Sequence, residues 1–383
     1  MTRRGAGAGC ERFRASFMIP PMTSGEELPL AGVRVLEIGG GLPAAFATRW
    51  MVGFGADVVR SEPARETLSR DEQAFLLPGK RRIGATPREL RALALAADIV
   101  VEDGSPGALA RLGLEPRVLR REKPALVVAS LTPFGQTGPA AHWRATNLVA
   151  HAMGGILSLT GVVPRPPLQN GFSQAWMLLG LNGFSAALAA YYGSLVHGEG
   201  DWIDLSAQEC AAGMLELYGP RAAYERTEAP RLGNRVHAIW GIFKCEDGFA
   251  GVCALQRQAP AFFAMSGDPA LADPRFLDPA YRLTVDAELG GHVERWFADK
   301  RKRDVLELGE KHKVPMGAVQ TPLDLLHSAG LEARGFFDTV RTPAGDARVP
   351  GRPFLGLPWQ GAELRGPAAD TDAVRREWLG ARA

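Results

Sequence analysis

Between Glu122 and Glu199 the chain contains no aspartate or glutamate, and its only lysine or arginine residues there are Lys123, Arg144 and Arg165. Within that span the 20 residues from Met177 to Val196 carry no charge of either sign. Such a run reads as a long apolar helix, led in by Pro164, Pro166, Pro167 and Gly171 and closed by His197-Gly198-Glu199-Gly200. A helix apolar on all sides is either a core element or a membrane span, and this length would just reach across a bilayer. Gly180, Asn182, Gly183, Ser185, Gly193 and Ser194 favour the buried alternative, because small residues let neighbouring backbones approach. No second run of this kind occurs in the chain.

A core helix of this length needs a large domain to cover it, and 383 residues exceed one ordinary core, so two domains are expected. With 46% apolar and 22% charged residues the composition is that of a soluble globular protein. The net charge of +2 makes no electrostatic case for a nucleic-acid or anionic-membrane partner. Cys10, Cys210, Cys245 and Cys253 fit neither a metal spacing nor a disulfide framework, which points to a reducing compartment, the cytoplasm, and to no metal site. Residues 1–28 carry Arg3, Arg4, Arg12 and Arg14 without a continuous apolar run; they read as a disordered tail rather than a secretory signal, with Met18 or Met22 as alternative starts.

From Gly32 the pattern sharpens. Val33 to Ile38 reads as a strand, Gly39-Gly40-Gly41 as a tight turn, Ala44 to Phe54 as a helix and Ala56 to Arg60 as a second strand, which together make a β-α-β unit. Gly39, Gly41 and Ala44 satisfy the G-x-G-x-x-A dinucleotide pattern, and Glu62 lies at the distance expected of a ribose-binding acid. The alternative is that the glycines only permit a sharp turn, with Pro43 stiffening the start of the helix. A basic cluster follows at Lys80, Arg81 and Arg82; helped by Arg60 or Arg111 it would neutralise phosphates, or else it is a solvated basic turn.

A helix over Pro87 to Ala97, a strand at Asp98 to Glu102, a helix around Gly107 to Leu112 and a strand at Ala125 to Ser130 continue the alternation. The polar turn Phe134-Gly135-Gln136-Thr137-Gly138-Pro139 comes just past the last of these strands, where ligands of doubly wound sheets sit. The fold class is therefore α/β: a Rossmann-like, doubly wound parallel sheet over 29–224, a smaller α+β domain over 225–325 and a return to the first domain over 326–383. In the smaller domain Ile242 to Cys253 reads as a hairpin turning at Asp247-Gly248, and the tail after Thr342 as mostly loop.

The order of several short motifs resembles class III CoA-transferases, the family that includes formyl-CoA transferase, carnitine CoA-transferase and 2-methylacyl-CoA racemase. They are Leu30 to Glu37, Phe54 to Pro63, Gly79-Lys80-Arg81, Pro106-Gly107, Arg111 to Leu114, Phe134 to Pro139, Gly233-Asn234-Arg235, Asp273 to Phe276 and Arg334-Gly335-Phe336, and they span about residues 30 to 340. The resemblance implies a two-domain, intertwined dimer that binds CoA or an acyl-CoA thioester, with the nucleotide end on the Rossmann-like domain. It makes Lys80 and Arg111 candidate phosphate contacts, beside the turns Gly39, Gly40, Gly41 and Gly135, Gln136. Two departures stand out: Gly39-Gly40-Gly41 replaces the polar residues usual at that turn, and Asp103-Gly104-Ser105 stands where the family commonly has Asn-Phe-Arg.

A third departure concerns chemistry. The family's transferases attack the donor thioester with an aspartate placed four residues before the glycine of the long helix, forming a mixed anhydride and then an enzyme thioester. Counting back from Gly180 gives Trp176, which has no atom for that role, and no acid lies between Lys123 and Gly198. The histidine that the racemases add corresponds to Thr146. His151 and Gln256 are the substitutes to weigh, His151 as a base and Gln256 as a group that polarises a carbonyl; Ser173, Cys210 and Cys253 lack activating neighbours. The expected function is that of a CoA-transferase-like protein binding CoA or an acyl-CoA without the standard transfer activity on its own. It would be the non-catalytic subunit of a heteromer with an aspartate-bearing relative, or a homodimer. The alternatives are a stand-alone acyl-CoA enzyme with another mechanism, in which Phe172, Trp176, Met177 and Met153 shape a greasy acyl site, and a dinucleotide-dependent oxidoreductase built on Gly39, Gly41, Ala44 and Glu62.

Overall fold

A computed structural model describes residues 27–342, 345–361 and 363–380. The tail expectation for residues 1–28, with its alternative starts and Cys10, falls almost wholly outside the described residues. The chain divides into two units: one comprises the residues up to Gly154, Gly171–Met214 and those from Ala329 on, the other Gly155–Asn170 and Leu215–Ser328.

The first unit is built on six parallel strands: β1 (Arg34–Ile38), β2 (Asp57–Ser61), β3 (Arg81–Ile83), β4 (Ile99–Glu102), β5 (Val127–Thr132) and β6 (Trp202–Ser206). Their order across the sheet is β3-β2-β1-β4-β5-β6, with every neighbouring pair parallel. The strands are buried valine-rich and leucine-rich runs, as a sheet covered on both faces requires. The chain reverses its winding between β1 and β4, so a crevice opens beyond the carboxyl ends of these two strands. Helix α1 (Leu42–Gly53) leaves β1 there, with Pro43 in its first turn. Next come α2 (Arg70–Leu76), started by a capping box between Ser69 and Glu72, α3 (Pro87–Ala96), α4 (Ala108–Arg111), α5 (Pro116–Glu122) and α6 (Asn147–Met153).

The uncharged run forms α7 (Gln174–His197), a 24-residue helix. Gly180 lies against Pro43 and Phe46 of α1, and Gly183 against Leu131 of β5; a Cβ at either position would collide, so both glycines set the close approach. The helix is not buried all round, however. Leu181, Asn182, Ser185, Ala189, Tyr192, Leu195 and Val196 form an exposed stripe at helical spacing, with Tyr192 70% and Leu195 67% accessible. Among the described residues no helix is long and apolar enough to cross a membrane.

The basic cluster expected to be a phosphate-binding or solvated turn is instead strand β3 at the sheet edge. Its side chains are taken up by acids of the sheet and of the carboxy-terminal segment: Arg81 by Asp57 and Glu377, Arg82 by both oxygens of Glu62. In the tail after Thr342, expected to be mostly loop, β12 (Gly345–Pro350) pairs with β11 (Phe337–Thr342), the described residues of 351–370 form no helix or strand, and a helix follows at Thr371–Leu379, anchored by Trp378 on Asp57 at 2.7 Å.

The second unit has an antiparallel sheet in the order β10-β9-β8-β7, made of β7 (Arg235–His237), β8 (Trp240–Cys245), β9 (Gly248–Cys253) and β10 (Met316–Ala318). The hairpin β8-β9 turns where Asp247-Gly248 implied, with Cys245 opposite Gly248. Its core is aromatic: Phe243 stacks on Phe297 at 4.8 Å, and Phe262 and Trp296 close around them. Residues 155–170, expected in the first domain, belong here because Val162 bridges to Leu232 and Arg231 donates to the Arg165 carbonyl.

Candidate active site

The crevice between β1 and β4 is where sequence and fold converge. The turn Gly39-Gly40-Gly41 leaves β1, and Asp103 is the first residue past β4. The Asp103 carboxylate lies across the turn: Oδ1 accepts from the Gly41 N–H at 3.2 Å and Oδ2 from the Ala44 N–H at 3.1 Å. A Cβ at Gly39 or Gly41 would strike this carboxylate, and Gly39 also has φ +136°, a conformation open to glycine. The two N–H groups are unsatisfied donors of the start of α1, so the chain supplies its own anion to the helix terminus.

This arrangement removes the dinucleotide alternative. The N–H groups that would cradle a pyrophosphate are already bonded, and Glu62, expected to hold a ribose, is spent on Arg82. Gly40 contributes its carbonyl to Thr67 rather than a donor to a ligand.

Lys80 lies where a phosphate cannot reach it. Its ammonium is fully buried, 2.8 Å from Glu37 Oε2 and 2.8 Å from the Ala45 carbonyl, and burial pulls its pKa down to about 8. Glu37 also holds Arg60 through Oε1 at 2.9 Å and accepts from Thr48 at 2.6 Å. Although burial opposes ionisation, these cations keep the Glu37 carboxyl below its usual pKa. Arg111 remains exposed at the end of α4, with its guanidinium resting on the Pro106 carbonyl and Ser105 Oγ.

Gly135 takes φ +86° and lets the following N–H turn onto Asp204. Gln136 ties three loops together: its N–H donates to both oxygens of Asp204 at 2.9 Å, its Oε1 accepts from Gly107 N–H, and its Nε2 donates to Glu102 Oε1 at 3.3 Å. Glu102 is 2% accessible; burial, with Asp103 and Asp204 nearby, pushes its pKa up to about 7 against the Ser130 and Gly104 hydrogen bonds. Asp103 is pushed up to about 6, chiefly by burial. Both folded pKa values are raised, so their stabilising contribution is present at low pH and is lost as pH rises through about 6 and 7. Glu102→Gln is therefore expected to recover roughly 2 kcal/mol of the stability lost between about pH 5 and pH 8. Urea unfolding at the two pH values measures it, and an unchanged pH dependence contradicts it.

Trp176 borders the same crevice. It sits in the first turn of α7, whose start is clamped by Asn147: the Asn147 side chain donates to the Phe172 carbonyl at 3.0 Å and accepts from the Ala175 N–H at 2.9 Å. Together with Gly41, Leu42, Asp103, Thr132, Ser173 and Leu179, among others, Trp176 lines a cavity of about 390 Å³, ample for a small acyl group. Among the described residues, Asp103 and Glu72 are the only charged ones that line it. The greasy site expected from Phe172, Trp176, Met177 and Met153 is not what the structure presents: Phe172 is 85% exposed, Met153 is exposed, Met177 packs against Leu68 and its neighbours, and only Trp176 of the four reaches the cavity.

The other substitutes lie apart. Thr146 caps α6. His151 is on that helix, 2% accessible, with Nδ1 unpartnered and its pKa lowered by burial, and it does not line the cavity. A neutral buried imidazole of this kind is a packing residue. Gln256 belongs to the second unit, where its side chain joins Arg282 and the Leu277 carbonyl beside a separate cavity of about 300 Å³. Cys210 is pushed up to about 11 by burial and is inert as a thiol nucleophile; Cys253 is a free, half-buried thiol. Asp103 and Asn147 had no place among the candidates. The signal for Asp103 was an acid directly after the strand that a 3-2-1-4-5-6 order sets beside the glycine turn.

The profile of CoA-transferase family III matches residues 85–372, and the chain belongs to this family. It is 30% identical over 356 residues to a Mycobacterium tuberculosis protein named "Probable CoA-transferase", covering 87% of this chain and 45% of that one; the chain thus spans less than half of that relative. It is 27% identical over 368 residues to the BbsE subunit of succinyl-CoA:(R)-benzylsuccinate CoA-transferase from Thauera aromatica, covering 85% of this chain and 88% of that subunit. Among solved structures, a CaiB/BaiF family protein from Brucella suis superposes with a TM-score of 0.82 at 25% identity over 92% of this chain and 100% of that one.

Proposed function

We propose that this chain binds an acyl-CoA thioester at the carboxyl edge of its six-stranded sheet, directs the acyl group into the Trp176 cavity, and carries out no covalent step at position 176. The observation that carries this reading is that Trp176 lines a cavity walled by the glycine turn and by Asp103. The indole then serves as a wall of the acyl site. Arg111 is the exposed cation placed to meet a CoA phosphate, and Gly135-Gln136 orders the loops around it; the buried Lys80 and the occupied turn at Gly39 to Gly41 are left out of that role. The family match and the relatives' names support CoA as the carrier.

The reading as a non-catalytic subunit has one specific observation in its favour. The exposed apolar stripe of α7 is a face suited to a partner chain, and one relative is itself named as a subunit. On that reading the protein alone forms no covalent intermediate.

A thermal-shift series with CoA, acetyl-CoA, succinyl-CoA, NAD and FAD tests the binding step. A ligand that prefers the folded state adds about 2.7 kcal/mol at a hundredfold excess over its Kd, so CoA and its thioesters are expected to raise the midpoint. Stabilisation by NAD alone, or by none of the five, defeats the reading.

A further inference from the structure

We propose that the cavity beside Gln256 in the second unit is a binding site for an apolar monocarboxylate, with Arg282 holding the carboxylate. The cavity measures about 300 Å³, and every residue in its wall lies between His237 and Asp286, within that one unit. Most of the wall is apolar: Ile239 and Trp240 come from the turn into β8, Leu255 from the segment after β9, and Leu283 from the helix Pro279–Thr284. Trp240, Leu255 and Leu283 are exposed, so this apolar surface is open to a ligand rather than closed by packing. An apolar cavity with a few placed polar groups is the usual form of a small-molecule site.

The polar group that sets the charge of the ligand is Arg282. Its side chain is half-buried, and the guanidinium donates through Nη1 to the Phe276 carbonyl at 2.7 Å and through Nη2 to Gln256 Oε1. Both acceptors are neutral. Gln256 is itself held, its Nε2 donating to the Leu277 carbonyl at 3.3 Å. Burial pulls the Arg282 pKa down, opposed at longer range by Asp278, which caps its own helix by accepting from the Ala280 N–H at 2.9 Å. Among the described residues no carboxylate pairs with Arg282 directly. A guanidinium carries five N–H groups and stays charged, so bonds to two neutral acceptors leave free donors and an uncompensated charge at the edge of an apolar space. A carboxylate entering the cavity supplies both the acceptors and the missing charge, in the two-pronged geometry that arginine favours.

A second polar group limits what else the ligand carries. Asp286 also lines the cavity, with Oδ1 fixed by the Ala238 N–H at 2.7 Å. Its charge repels a ligand with a further carboxylate or a phosphate dianion. The ligand class is therefore an organic acid with one carboxylate on an apolar body, and the site does not depend on acyl-CoA binding in the first unit.

The test is photolabelling of the full chain with 4-azidobenzoate and peptide mapping by mass spectrometry, with benzoate, benzamide and phthalate as competitors. Labels are expected at Trp240, Leu255 or Leu283, displaced by benzoate at concentrations at least tenfold lower than benzamide or phthalate requires. Arg282→Gln is expected to reduce the labelling at least tenfold. Because that change also removes the bond to the Phe276 carbonyl, Leu283→Glu serves as a second variant: position 283 is 63% accessible, and a carboxylate there is expected to reduce labelling at least tenfold with the Arg282 bonds left in place. Thermal unfolding of each variant reports whether it folds, and the map on the unaltered chain decides the matter if neither does. Saturable labelling only at other residues, no saturable labelling, or equal competition by benzoate and benzamide overturns the proposal.

Discussion

Trp176→Asp is expected to raise exchange of CoA between acetyl-CoA and a short carboxylic acid at least tenfold over the unaltered chain, a gain equivalent to about 1.4 kcal/mol of barrier. Position 176 lies in the first turn of α7, where an aspartate is favoured by the helix dipole by about 0.3–1 kcal/mol. Asn147 fixes that turn independently of the indole, through the Phe172 carbonyl and the Ala175 N–H, so the new carboxylate inherits a positioned backbone. Loss of the indole costs packing, because Trp176 touches the cores on both sides of α1. Unfolding curves must therefore accompany the assay. A folded, acyl-CoA-binding Trp176→Asp protein without any gain would mean that more than a nucleophile is missing there.

Glu37→Ala is expected to destabilise the first unit by about 3–5 kcal/mol, because it strands cations that the core otherwise neutralises. Glu37 is 1% accessible and is the anion shared by Lys80 and Arg60, both fully buried. Arg60 keeps a second partner, Glu66 at 2.7 Å, whereas Lys80 is left with the Ala45 carbonyl alone. The penalty should thus fall mainly on Lys80, and Glu37→Met with Lys80→Met should recover much of it, since a well-packed apolar pair replaces an ion pair at little cost. Denaturant titrations of the single and double variants measure both. Equal losses in the two would mean that the network stabilises through packing rather than charge.

These side chains show what was legible in the sequence and what was not. The valine-rich strands, the hairpin at Asp247-Gly248 and the long helix could be read from local pattern, because burial on both faces, turn chemistry and absence of charge leave local marks. Lys80, Arg81 and Arg82 could not be read correctly: a run of cations resembles a surface until the strand order places Glu37, Asp57 and Glu62 beside it. The lining of the Trp176 cavity is illegible for the same reason. Trp176 was found by its position in a motif, but its cavity partners Asp103, Thr132 and Gly41 come from the ends of three separate strands. Periodicity reports which face of an element is buried; it says nothing of which strand end lies next to which.

The fit of Asp103 over Gly39 and Gly41 also restricts how this chain can diverge. A methyl group at either glycine would evict the carboxylate, while a larger side chain at 103 would have nowhere to sit unless the turn moved. The three positions are therefore heritable as a set: sister sequences that carry bulkier residues in the turn should carry a different residue at 103, and a change at one alone should be rare because it pays the steric cost before any compensation arrives.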